Sequence, residues 1–159
     1  VAQSQSVHSE FRDLYLLDRD QMYHIILDAT NTFQYNIETS SQTTIASKYP
    51  YVVKNGSVGY YSGSINATMI ELVNCEWDVE NGAHFRKEVD KFLSNDNVKV
   101  LKDWMGNIWL VSIIDAIQQD SGDSPLLPVH NFNWIECGDV NEMGVLYDNG
   151  FINTQIDRE

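Results

Sequence analysis

The run VKVLKDWMGNIWLVSII, residues 98–114, constrains the fold more than any other stretch of the chain. Two β-prone segments flank Met105-Gly106-Asn107, with Trp104 and Trp109 on either side of the turn. Glycine and asparagine tolerate the positive φ of a tight reversal, so residues 98–104 and 108–114 are expected to pair as a hairpin. The second segment is apolar at every position but Ser112, the pattern of a strand buried on both faces. Directly upstream, AHFRKEVDKFLS (residues 83–94) places Phe85, Val89, Phe92 and Leu93 on one helical face. Arg86, Lys87, Glu88, Asp90 and Lys91 cover the other. The spacing predicts a helix of about three turns, with Asn81 as its N-cap and Asn95 or Asn97 in a left-handed conformation at its end. So short a helix is stabilised by packing on a sheet.

The rest of the chain reads mostly as strands. Residues 14–17 and 22–27 flank Asp18-Arg19-Asp20-Gln21 as a hairpin. Phe33, Tyr35 and Ile37 alternate with Gln34, Asn36 and Glu38, the period of a half-buried strand. Residues 51–54 meet Asn55-Gly56, the strongest short hairpin signal, and residues 57–61 are expected to return from it. Gly63 permits a bulge or bend before the β-prone run 64–72. Residues 118–128, containing QQDSGDSP, form an exposed loop or partner-ordered arm. Residues 130–136 supply another strand, and a last hairpin is expected through Asp148-Asn149-Gly150.

At 159 residues the chain is expected to be one domain, large enough to be stable without a metal or disulfide. Cys75 and Cys137 form no Cys-x-x-Cys pair and read as buried small hydrophobes, with a disulfide as the alternative. The formal charge of −13 disfavours nucleic-acid binding and anionic membranes, because phosphate contacts need clustered Lys and Arg. The acids are spread along the sequence, which reads as solubility. No apolar run reaches the ~20 residues of a membrane helix. The opening VAQSQSVHSE lacks the parts of a secretory leader. It begins on Val1, as initiator removal, processing or truncation would each leave it.

Chemistry-bearing patterns are sparse. The four histidines, His8, His24, His84 and His130, accompany no GxSxG elbow and no cysteine signature, so no residue is assigned a catalytic role. His24 is expected in the core or an interface, and His84 facing solvent. No HExxH, paired-cysteine or EF-hand pattern assigns a metal, and no glycine-rich phosphate loop assigns a cofactor. Asp120-Ser121-Gly122-Asp123 is a solvated loop with too few ligands of its own. The sequons at Asn55 and Asn66 are short patterns that chance supplies. Among Trp77, Trp104, Trp109 and Trp134, two are expected in the core and the others at subunit contacts. An exposed sugar-stacking platform is the alternative.

Three stretches resemble the tail-tube-like domain of distal tail and baseplate proteins from phages of Gram-positive bacteria. They are YPYVVKNGSVGYYSGSINATMI (residues 49–70), FRKEVDKFLSNDNVKVLKDWMGNIWLVSI (residues 85–113) and FNWIECGDV (residues 132–140). The first is similar to that family's paired strands, the second to its helix leading into a Trp-bearing hairpin, the third to its closing strand. The likeness leaves out the first 30 residues. It implies a mainly β protein with one central helix: a β-sandwich of two packed antiparallel sheets flanked by an α-helix. It further implies a structural virion protein, not an enzyme, whose copies join into a sixfold homo-oligomeric ring. The implied neighbours are tail-tube, tape-measure and tail-tip proteins, around a channel for DNA. An acidic inner wall repelling that DNA is the expectation drawn from the charge. A carbohydrate-binding module in host-surface recognition is the alternative reading.

Overall fold

The computed structural model describes residues 13–151 except 121 and 124–126, with the backbone alone at 55–57. Strands β1 (Leu14–Leu17) and β2 (Met22–Ile25) pair antiparallel across the expected turn. Asp18 makes that turn: its Oδ1 accepts the backbone N–H groups of Asp20 and Gln21, each at 2.8 Å. An aspartate before a reversal does this because its short carboxylate reaches the amides two and three residues on.

Two long strands follow, β3 (Leu27–Gln42) and β4 (Tyr51–Thr68), then a small ribbon of β5 (Leu72–Val73) and β6 (Glu76–Trp77). Helix α1 (Gly82–Ser94) leads into β7 (Lys99–Lys102), β8 (Ile108–Gln119) and β9 (Val129–Gly138), and helix α2 (Met143–Asp148) comes last. Seven strands form one antiparallel sheet in the order β2-β1-β7-β8-β9-β4-β3, beside the two-stranded β5-β6 sheet. The fold is mainly antiparallel β with one principal helix, as the sequence implied.

A single residue, Ile26, joins β2 at one edge of the large sheet to β3 at the other. A residue spans at most about 3.6 Å, so the two edges meet there and the sheet has to curl. Asp28, with φ of 49° inside a β-bulge, accommodates the bend. The curl encloses one core: Leu14, Leu16 and Ile25 from one half meet Ile65, Ala67, Phe132 and Trp134 from the other. Val89, Phe92 and Leu93 of α1 close it, and Phe85 packs at the margin.

Several expectations give way. Asn55-Gly56 makes no turn, since β4 runs straight through it. Ile37 pairs with Gly59 and Glu38 with Asn55, so residues 56–58 bulge out of a longer pairing. Gly63 lies in regular pairing between Phe33 and Trp134 rather than in a bulge. A Cβ there would strike the Thr32 carbonyl and stand 2.9 Å from Trp134 Cζ2, so only glycine fits. Asn95 is extended (φ −71°, ψ 155°), not left-handed. Strand β8 is buried at Trp109, Leu110 and Val111 but exposed at Ile108 and Ile114, so burial on both faces is confined to its centre.

Gln118 and Gln119 belong to β8, and the expected loop starts after them, with residues 121 and 124–126 outside the described residues. Around Gly150 the chain forms the end of α2 instead of a hairpin. Gly150 has φ of 77°; its N–H bonds Tyr147 O and the N–H of Phe151 bonds Leu146 O, the two bonds of a Schellman cap. The β5-β6 hairpin, turning on Asn74 and Cys75 at φ of 51° and 65°, has no counterpart in the sequence reading.

Candidate functional site

Strand β9 pairs with β4 only from Ser62 to Thr68, while β3 pairs with β4 along almost its whole length. Beyond Ser62, β3 and β4 have only each other among the described strands, and they project as a two-stranded ribbon. Such a ribbon is marginal in water by itself. It carries Tyr35, Ile37, Tyr49, Tyr51, Val52 and Val53 on its surface, all well exposed, and Ile45 stands fully in solvent at the tip. The alternation that marked Phe33, Tyr35 and Ile37 as half-buried therefore belongs to a face this chain leaves largely uncovered.

At its root the ribbon is tied down by a row of tilted, packed rings. Tyr35 meets Tyr61 at 4.9 Å between centroids, Phe33 meets Trp109 at 4.9 Å, and Trp109 meets Trp134 at 5.1 Å. Gly59 makes room for the Tyr35 hydroxyl, which occupies the place a Cβ would take. The Trp134 indole N–H donates to Asn31 Oδ1 at 3.2 Å. Trp109 and Trp134 are core residues, while Trp77 and Trp104 are each 39% exposed, the division expected from the sequence. A sugar platform built on Trp104 and Trp109 together is not formed.

Alternation gives the strands β3, β4, β9 and β8 two unlike faces. One carries the core. The other shows Thr30, Thr32, Gln34 and Asn36 on β3, Ser62, Ser64 and Asn66 on β4, and Asn131 and Asn133 on β9. Asp115 is the acid in its centre, bonded by Asn133 Nδ2 at 2.7 Å. Asn36 Nδ2 likewise donates to Ser62 Oγ at 2.7 Å. Strands β3, β8 and β9 contain no Lys or Arg at all.

A groove of about 530 Å³ lies beside β2, between it, the β5-β6 ribbon and the start of α1. Met22, Ile26, Ile70, Leu72 and Phe85 make it apolar, and Glu71 and Glu88 give it charge. Tyr23 stands at its wall, 4.7 Å from the Phe92 ring, where burial and then the charges of Glu88, Asp18 and Glu71 push its hydroxyl pKa up.

A part-buried polar clamp, built on buried Asp18 and Lys99, joins the β1-β2 turn to the end of α1. Asn95 and Asn97 donate to Asp18 Oδ2 at 3.1 and 3.4 Å, and buried Lys99 donates to Asn95 Oδ1 at 2.8 Å. Burial raises the Asp18 carboxyl, but its hydrogen bonds from Asp20, Gln21, Asn95 and Asn97 outweigh that and leave its pKa below the ordinary value. Burial lowers the pKa of Lys99. Asp103 plays the matching part in the β7-β8 turn, accepting from the N–H groups of Met105 and Asn107. The sequence reading placed Asp18 in the expected turn without its bonds and passed over Asp103, though an aspartate opening a turn is a legible signal.

The histidines occupy separate places. His24 stacks on Tyr15 and lies 2.9 Å from Asp13; His84 is exposed beside Glu88. His130 is buried with Nε2 3.1 Å from Asp90 Oδ1. No serine or cysteine is among their bonded partners within the described residues. His8 lies outside the described residues. Cys75 and Cys137 are free and exposed, neither bridged nor buried as small hydrophobes.

No family model and no curated protein matches the chain. Seventeen chains of solved structures do. One is in the virion of a native gene transfer agent particle: 17% identical, TM-score 0.46, covering 81% of this chain and 94% of that one. A second is in the tail of an empty gene transfer agent particle of C6 symmetry: 15% identical, TM-score 0.48, covering 86% and 96%. A third is the Dit protein of phage SPP1, described as a paradigm of the hub of the adsorption apparatus in phages infecting Gram-positive bacteria. It is 9% identical with a TM-score of 0.48, covering 77% of this chain and 49% of that one. These neighbours are virion, tail and hub components, the class named by the resemblance in the sequence.

Proposed function

We propose that this chain is a structural tail protein that assembles edge to edge into a ring, sixfold by the resemblance, through which DNA passes. Its place is at the distal tail, tube or baseplate, between tube and tape-measure proteins on one side and tail-tip proteins on the other. The projecting β3-β4 ribbon carries this reading. A two-stranded ribbon with exposed tyrosines, valines and isoleucine, anchored by a stack of rings, gains order and loses exposed apolar surface when another subunit covers it. An open edge on β3 adds a row of backbone groups that a neighbour can pair.

In such a ring the core face, with α1 upon it, takes the wider outer circumference. The polar face of Thr, Ser, Asn and Gln, with Asp115 in its centre, then lines the channel. We assign a mostly uncharged polar wall carrying Asp115 in place of the densely acidic one expected from net charge. A wall without Lys or Arg offers phosphates no charge-neutralising contact, so DNA slides along it instead of being held.

The test is imaging of the purified protein by negative stain and mass photometry over rising concentration, alone and beside its tail neighbours. Rings of uniform size are expected. Monomers under every condition would overturn the proposal.

A further inference from the structure

Acidic residues are not as evenly spread as a first reading of the chain suggests. From Thr39 to Ile70 there is no Asp or Glu, although the whole chain has 23. The same stretch holds Lys48 and Lys54, and it builds the ribbon's tip and its β4 strand, while Glu38, paired with Asn55, is the acid of the β3 strand at the ribbon's base. After this stretch the acids resume with Glu71, Glu76, Asp78, Glu80 and Glu88, of which Glu71 and Glu88 line the groove beside β2. The tip is thus apolar and basic, with Ile45, Tyr49, Tyr51, Val52 and Val53 exposed among two lysines. Lys48 Nζ lies 5.6 Å from the centre of the Tyr49 ring. The groove is apolar and acidic, with Met22, Ile26, Leu72 and Phe85 between Glu71 and Glu88.

These two surfaces match in kind and cannot meet within one molecule. Leu27, at the start of β3, is next to Ile26 of the groove, and Gln42 is at the far end of the same strand. At about 3.3 Å per residue, the tip stands roughly 50 Å from its own groove. We infer that the ribbon tip of one copy docks into the β2-α1 groove of the next, with Lys48 and Lys54 facing Glu71 and Glu88. This rests on the ring reading above and names the contact that joins its subunits. Tip and groove are different patches, so the contact is head-to-tail, and repetition extends it from copy to copy. Apolar groups supply the buried area, and the opposite charges set register and exclude the wrong pairing.

Charge reversal tests it. The tip variant Lys48→Glu/Lys54→Glu and the groove variant Glu71→Lys/Glu88→Lys alter exposed or rim positions, and circular dichroism checks that each still folds. Each alone is expected to associate at least tenfold more weakly than the unaltered chain in analytical ultracentrifugation. Mixed one to one, they regain assembly, because each reversed tip then meets a reversed groove and each native tip a native groove. Raising salt from 0.1 to 1 M weakens the native contact, as screening shortens to about 3 Å. Undiminished assembly of the tip variant overturns the inference and leaves the ring reading standing. So does failure of the mixture to regain assembly, which would seat the tip on a different protein. Failure of the unaltered chain to assemble at all overturns the ring reading itself.

Discussion

The two ends of β3 and β4 are continuous in sequence and opposite in environment. Near Ile65 and Ala67 one face of β4 is buried in the core that α1 closes, and β9 flanks the strand. Twelve to sixteen residues away, near Tyr51 and Val53, side chains of the same apolar kind stand in solvent. Hydrophobicity is similar in both places, but among the described residues only the first has elements of this chain to cover it. The comparison teaches that an apolar strand pattern specifies a need for burial, and says nothing about which molecule meets it.

The largest effect that would sharpen this contrast comes from Trp134, buried where the ring stack meets the core. Trp134→Ala should cost about 3–5 kcal/mol in urea unfolding, through lost transfer energy and the cavity left behind. Gly63→Ala should cost about 1–3 kcal/mol, because the added methyl meets the Thr32 carbonyl and the Trp134 ring. It would also loosen the ribbon root, and faster hydrogen exchange in residues 32–35 checks that.

Acid probes the clamp at Asp18. The native Asp18 carboxyl has a lowered pKa, so the stability it contributes is complete above the unfolded value of about 3.9 and is lost as pH falls through the native value. Asp18→Asn should lower Tm at pH 7, with a deficit on the order of 1–2 kcal/mol, and the gap should narrow below about pH 4. A constant gap across that range would assign the effect to hydrogen-bond geometry rather than charge. The smallest effect belongs to the ribbon. Val53→Ser should change monomer stability by no more than about 0.5 kcal/mol while weakening self-association. A large loss of monomer stability would break the comparison, by showing that the ribbon belongs to the cooperative core.

Much of the compact end was legible. Residues 14–17 and 22–25 form the hairpin that their flanking turn residues indicated, and Gly106, at φ of 83°, turns β7 onto β8. The apolar face of α1 buries Val89, Phe92 and Leu93 as the periodicity required. What was misread lies where local and distant preferences compete. Asn55-Gly56 favours a type I′ turn, but β3 supplies pairing on both sides of it, so Asn55 stays paired with Glu38 and Gly56 enters a bulge instead. Asp148-Asn149-Gly150 looks the same in sequence whether it reverses a hairpin or caps a helix, since both use the positive φ of glycine. The acid-free stretch was open to view but is invisible to net charge, which averages over position.

By itself the sequence determined the local pieces: strand periods, one amphipathic helix, and turns in which an aspartate or glycine satisfies or frees the backbone within four residues. Those depend on neighbours along the chain, which the sequence states outright. The curl forced by Ile26, the neutral and buried faces of β3 and β4, and the separation of a basic tip from an acidic groove were decided only by the tertiary structure. Each requires residues tens of positions apart to be brought into register, and that pairing is a property of the whole folded chain.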